Sequence, residues 1–215
     1  MPVLSPLSGS PLHRPLGAAP TREGAGGGFG RLLARIEAAG AARRAVFLGL
    51  MTAGIAFLFD QQTKHLAVNE LTRTRPVEAF GPLRFHLTFN EGGAFGTTVP
   101  GGRWFFLIVT VIVVVIVVRN LPTVERGGQA VAYGLLLAGA LGNAADRVFR
   151  GDHRVVDFLQ LPGWPIFNIA DVAITSGFLL LLVLLWQHDR VSAREQRPQP
   201  PPPLGSAPPG QRPSR

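Results

Sequence analysis

The chain has 215 residues, 47% of them hydrophobic and only 16% charged, with no cysteine and a formal net charge of +8. So low a charged fraction argues against a soluble globule, where about a quarter of residues carry charge, and the absent cysteine excludes disulfides, thiolate nucleophiles and cysteine-held metals. The basic excess sits mostly near the two ends; it fits anionic lipid heads, while the interleaved aromatics of a nucleic-acid groove are missing, so no nucleic-acid partner is expected.

Residues 1–43 read as a basic, disordered cytoplasmic tail: the first thirty are rich in Pro, Gly and Ser, and RLLARIEAAGAARR at 31–44 can form a short helix with Leu32, Leu33 and Ile36 on one side and arginines to meet phosphate heads. Uncharged stretches follow at 45–59, 104–118, 127–145 and 172–188. They predict a membrane body over 44–188 with four transmembrane helices. The first helix is expected from about Ala45 to Lys64, closing on FDQQTK, where Asp60 and Lys64 stand i, i+4 with the acid first, the favourable order for an ion pair.

Between the first two helices, LRFHLTFN alternates: Leu83, Phe85, Leu87 and Phe89 share one face, and Arg84, His86, Thr88 and Asn90 the other. Period two predicts a strand, and Gly92–Gly93 after it allows a sharp turn. An open sheet edge is not tolerated in hydrocarbon, so this strand belongs at the interface. The second helix, about 102–119, is β-branched and featureless; packing is its expected role.

The third helix, about 129–147, carries a small-residue stripe, Gly134, Ala138 and Gly142, that lets helices approach closely. Asn143, Asp146 and Arg147 cluster at its end. A loop with the strand-like VVDF and a Pro-Gly-Trp-Pro turn leads to a fourth helix beginning near Ile166, with Asn168 and Asp171 on one face. Residues 189–215 are a Pro-rich tail, expected to be disordered. With four spans both termini share a side, and the basic residues only mildly favour the cytoplasm for it. Asp60, Asn90, Asn143, Asp146, Asp157, Asn168 and Asp171 then all collect on the opposite side of the membrane.

Asp157 and Asp171 are the residues that need a reason. A carboxylate in a membrane helix costs about 2.5–3.5 kcal/mol even on a lenient scale. Two that meet can share a proton, one activating water while the other polarises a carbonyl, which is the chemistry of amide hydrolysis. No HExxH metal motif, Ser–His pair or GxSG is present. The rival reading is a small proton-coupled transporter, in which carboxylates relay protons; the two halves of the chain lack the matching repeats common in that class.

FDQQTK at 59–64, FNEGGAFG at 89–96, GALGNAADR at 139–147, VVDF at 155–158 and FNIADVAI at 167–174 together resemble the bacterial lipoprotein signal peptidases, or signal peptidase II. The resemblance spans about 45–188 and leaves both tails outside. It implies an aspartic endopeptidase of the bacterial inner membrane that cleaves prolipoproteins before a diacylglyceryl-modified cysteine, with Asp157 and Asp171 as the catalytic pair. It implies supporting or substrate-positioning roles for Asn90, Gly92, Asn143, Arg147 and Asn168, a supporting place for Ala170, and structural polar anchors in Asp60, Lys64 and Asp146. It further implies four helices with a small periplasmic β-cradle, an active site at the outer face, membrane lipid and lipidated precursor as partners, and neither metal nor cofactor. A monomer is expected. The family's turn usually has alanine where this chain has Gly93, which loosens the turn and removes no side-chain chemistry.

Overall fold

The computed structural model describes residues 26–92, 101–124 and 126–195. Gly93, the outermost residues 1–25 and the end of the chain from 196 lie outside that range. The chain divides into two units, up to Ala39 and from Gly40 onward. The described part of the first is helix alone.

Helix α1 runs Gly26–Glu70. It takes in both the short helix expected at 31–44 and the membrane helix expected at 45–64, so the stretch 26–43 is helical where the composition predicted a disordered tail. No proline occurs between 26 and 70, and the sequence is rich in Ala, Leu and Arg, all good helix formers. Helix α2 spans Gly102–Asn120, a short 3-10 turn follows at Leu121–Thr123, helix α3 spans Gly127–Phe149 and helix α4 Ile169–Glu195. Helix α4 thus runs past the boundary expected at 188.

Among the described residues, three segments are long and apolar enough to cross a membrane: Gly28–Glu70, Gly102–Thr123 and Ile169–Arg190. Four were expected. The stretch that falls short is α3, and its composition explains why. Its leucines and valines are diluted by many Gly, Ala and polar residues, and much of it is buried by its neighbours rather than offered to lipid. A Cβ added at Gly134 would lie 2.5 Å from the Gly49 carbonyl oxygen of α1, and one at Gly177 of α4 would lie 2.7 Å from the Ala132 carbonyl oxygen of α3. At Gly139 the added carbon would collide with the Ala170 carbonyl oxygen. Helix α3 is therefore the central helix, held at backbone contact by both α1 and α4. Side chains facing protein need not be apolar.

The strands β1 (Val77–Phe80), β2 (Leu83–Asn90) and β3 (Val155–Gln160) form one antiparallel sheet in the order β1-β2-β3. β1 was not anticipated: its four residues, VEAF, are too few to show a period, and all are exposed. The β2–β3 register places Thr88 opposite Asp157 and Asn90 opposite Val155, after an irregularity between Phe85 and Thr88. The predicted face of β2 holds: Leu83, Phe85, Leu87 and Phe89 pack with Val156, Phe158 and Leu159 of β3 and Ala67 of α1. β3 is buried from Val155 to Leu159, so it reads as a continuous run rather than an alternation. The Phe158 and Leu159 N–H groups both donate to the Phe167 carbonyl, and the Phe167 N–H donates to the Leu159 carbonyl. That pinning sets the start of α4 beside Asp157.

Candidate active site

The ends of α1 and α3, the start of α4 and the facing ends of β2 and β3 bring the polar residues together. Asn168 is the hub. It is fully buried, and its backbone N–H donates to Asp171 Oδ2 at 3.1 Å while its side-chain Oδ1 accepts the Asp171 N–H at 3.0 Å. This reciprocal pair is a capping box, with Asn168 at the cap and Asp171 three residues on. The sequence FNIAD forms it because both side chains are short and each oxygen reaches the other residue's orphan donor. The Asn168 amide, Nδ2, then donates to Asp157 Oδ1 at 2.7 Å, with the Val156 carbonyl at 3.2 Å and Asn143 Oδ1 at 3.0 Å as further acceptors. One asparagine therefore holds both carboxylates.

Asn90 holds the second oxygen of Asp157. Its Nδ2 donates to Asp157 Oδ2 at 3.0 Å, and its Oδ1 accepts the Gly92 N–H at 2.8 Å. The second bond fixes which end of the amide faces the acid. Gly92 itself has φ of 118°, and a Cβ there would meet the Phe106 ring at 3.0 Å, so glycine is required on both counts. Asn143 closes the far side: its Nδ2 donates to Asp171 Oδ1 at 2.8 Å. Burial pushes the Asp157 carboxyl up to about 7, the Asp171 charge adds to it, and the hydrogen bonds from Asn90 and Asn168 oppose both.

Beneath the pair lies an ionic cluster. Lys64 is fully buried, with its Nζ 2.9 Å from Asp60 Oδ2, 3.0 Å from Asp146 Oδ2, 3.1 Å from Asn143 Oδ1 and 3.4 Å from the Gly142 carbonyl oxygen. Asp60 Oδ1 accepts the Ala170 N–H at 2.8 Å, tying α1 to α4. Asp146 accepts the Val156 N–H at 3.2 Å and Arg150 Nε at 3.0 Å, tying α3 to β3. The anchors expected in Asp60, Lys64 and Asp146 are thus links between elements far apart in sequence. Arg147 is buried under the same roof. It donates to the Asn143 carbonyl at 3.2 Å, its guanidinium lies 4.3 Å from the centre of the Phe106 ring, and its Nε has no acceptor among the described residues.

All eleven residues singled out in the sequence fall in this one assembly. Gln61 and Arg150 were not singled out. Gln61 donates to Asp60 Oδ2 and to the Gly142 carbonyl, and Arg150 completes the Asp146 shell; only their places beside Asp60 and four residues after Asp146 hinted at this. Gly142 was read as a spacer between helices, and it is more than that. A Cβ there would stand 2.5 Å from Asp60 Oδ2. Gly142→Ala is expected to displace the Asp60–Lys64 pair and cost about 1–3 kcal/mol of stability. Melting in detergent checks this, with Gly151→Ala as the control because nothing lies within 4 Å of that position. Equal melting temperatures for the two variants would remove the argument.

The family model for signal peptidase (SPase) II matches residues 52–187. The chain belongs to the signal peptidase II family. It is 41% identical over 166 residues to a lipoprotein signal peptidase of Cyanothece sp., covering 73% of this chain and 94% of that protein. It is 41% identical over 137 residues to the one of Rhodococcus jostii, covering 61% and 69%. A solved structure described as a bacterial membrane enzyme at 2.3 Å resolution superposes with a TM-score of 0.59 at 32% identity, over 65% of this chain and 87% of the other. As a signal peptidase II the protein is an aspartic endopeptidase of the bacterial inner membrane that processes lipoprotein signal peptides. Family membership displaces the transporter reading that the carboxylates alone left open.

Proposed function

We propose that Asp157 and Asp171 are the catalytic pair, and that the substrate is a prolipoprotein cut just before a cysteine already carrying diacylglycerol. The observation that carries the assignment is the single buried asparagine, Asn168, that hydrogen-bonds both carboxylates. Asp157, buried and raised to about 7, holds the shared proton at neutrality and hydrogen-bonds the scissile carbonyl oxygen. Asp171 takes a proton from water, whose oxygen attacks the carbonyl carbon. The tetrahedral intermediate then breaks its C–N bond as the amine leaves with a proton from the pair. Asn90 and Asn168 orient Asp157, Asn143 orients Asp171, and Arg147 positions the substrate chain. Such a pair activates water by itself, so the reaction needs neither metal nor cofactor.

In this reading α3 is the fourth span, and both chain ends lie in the cytoplasm. The candidate site and the sheet sit at the outer face, where a cysteine anchored by its lipid presents the scissile bond at fixed depth. All the site residues come from one chain, so a monomer suffices. Purified protein in detergent is expected to cleave a diacylglyceryl-modified precursor and to leave its unmodified form intact. Equal cleavage of both would overturn the substrate assignment.

The raised carboxyl also sets a pH dependence. When Asp157 loses its proton the pair has no acid, so kcat/KM is expected to fall on the alkaline side with an apparent pKa near 7. Its folded value lies above the unfolded one, so the stability it contributes is complete below about 4 and is lost as pH rises through about 7. A pH–rate profile that stays flat to pH 9 would rule out Asp157 as the acid.

A further inference from the structure

The opening turns of α1 are left unused by the active site and lie before the region matched by the family model. Within them Phe29, Leu32, Leu33 and Ile36 are exposed, at 65%, 53%, 44% and 59%. Their spacing is i, i+3, i+4, i+7, which puts all four on one stripe of a helix. Arg31, Arg35 and Ala38 fall on other faces. Two more arginines, Arg43 and Arg44, stand where the uncharged span begins, and Glu37 is the sole acid between Gly26 and Arg44. An apolar stripe with basic flanks, leading directly into a membrane span, has the chemistry of a helix that lies in a lipid headgroup region.

We infer that the helix bends between this stripe and the span, so that residues 29–36 form an interfacial foot docked on the anionic lipid surface at the N-terminal end of the first span. The apolar stripe enters the headgroup boundary, and the arginines bind lipid phosphates. A second copy of the chain would match the stripe but not the charge. Four arginines against one glutamate repel an identical partner and attract anionic lipid. A protein partner would need an acidic face to do the same, and here a bilayer is supplied by the adjoining span.

The absence of cysteine gives a clean test. Full-length protein with a single Ile36→Cys or Ala38→Cys, labelled with an environment-sensitive fluorophore, is placed in nanodiscs of phosphatidylcholine alone or with phosphatidylglycerol. The Ile36→Cys label is expected to shift to the blue and to be quenched by a headgroup-depth lipid quencher in anionic discs, while the Ala38→Cys label stays in water. Adding Arg31→Gln and Arg35→Gln is expected to lower the docked-to-free ratio by roughly an order of magnitude or more. Cleavage by the active site should be unchanged, which separates this result from the fate of the catalytic assignment. Two labels equally exposed would mean that the turns stand clear of the bilayer. An Ile36→Cys label protected equally in both lipids, or only at high protein concentration in detergent, would assign the stripe to protein contact. Either result would overturn the proposal.

Discussion

Asp157→Asn and Asp171→Asn are each expected to lower cleavage by on the order of 10³-fold or more, with the protein still inserted in the membrane. The two changes remove different functions. Asn at 157 leaves the pair without an acid for the carbonyl, and Asn at 171 leaves water without a base. Their combination is expected to cost little beyond either alone, since the two groups act as a unit. At 171 an amide oxygen still accepts the Asn168 N–H that now meets Asp171 Oδ2, so the first turn of α4 stays capped, although the new amide nitrogen then faces the Asn143 donor. Turnover of a lipidated precursor, read beside the amount of enzyme in the membrane fraction, gives the answer. Substantial turnover by either single variant would end the catalytic assignment.

Lys64→Met is expected to do the largest damage to stability. The ammonium is fully buried between Asp60 and Asp146 at 2.9 and 3.0 Å. Removing it strands two carboxylates out of water, a loss of about 3–5 kcal/mol for a broken buried pair. The surface pair Arg154–Asp152, also at 3.0 Å, is the contrast: both partners are about a third exposed, and pairs of that kind are worth about 0–1 kcal/mol. Burial, not distance, makes the difference. The triple variant Asp60→Asn, Lys64→Met, Asp146→Asn should recover much of the lost melting temperature, because the penalty belongs to the unpaired charges rather than to the missing bond. A Lys64→Met protein that melts with the wild type would show the cluster to be dispensable.

The sequence carried most of the site and less of the fold. Polar residues inside apolar stretches are rare enough to be noticed singly, and an up-and-down bundle forces helix ends to one side, so Asp60, Asn143, Asp146, Asn168 and Asp171 could be gathered on paper. The residue roles within the gathering were harder. That Asn168 serves both acids, or that Gly142 leaves room for the Asp60 carboxylate, depends on ångström-scale contact between helices that no spacing rule supplies. β1 escaped because four exposed residues hold no pattern. Helix α3 was counted as an ordinary span because 127–145 carries no charge, whereas its glycines, alanines and polar residues make it less apolar than the spans of the other three, and many of its residues are buried by neighbouring helices.

The capping box at Asn168 and Asp171 has a consequence for biosynthesis. Asp60 waits 110 residues for the Ala170 N–H, and neither member of the box exists until the last helix has been made. With Asp171 as the proposed base, a nascent chain with its earlier segments already threaded is expected to be inert. On that assignment, proteolytic competence is expected to arrive only when the final segment winds up and docks.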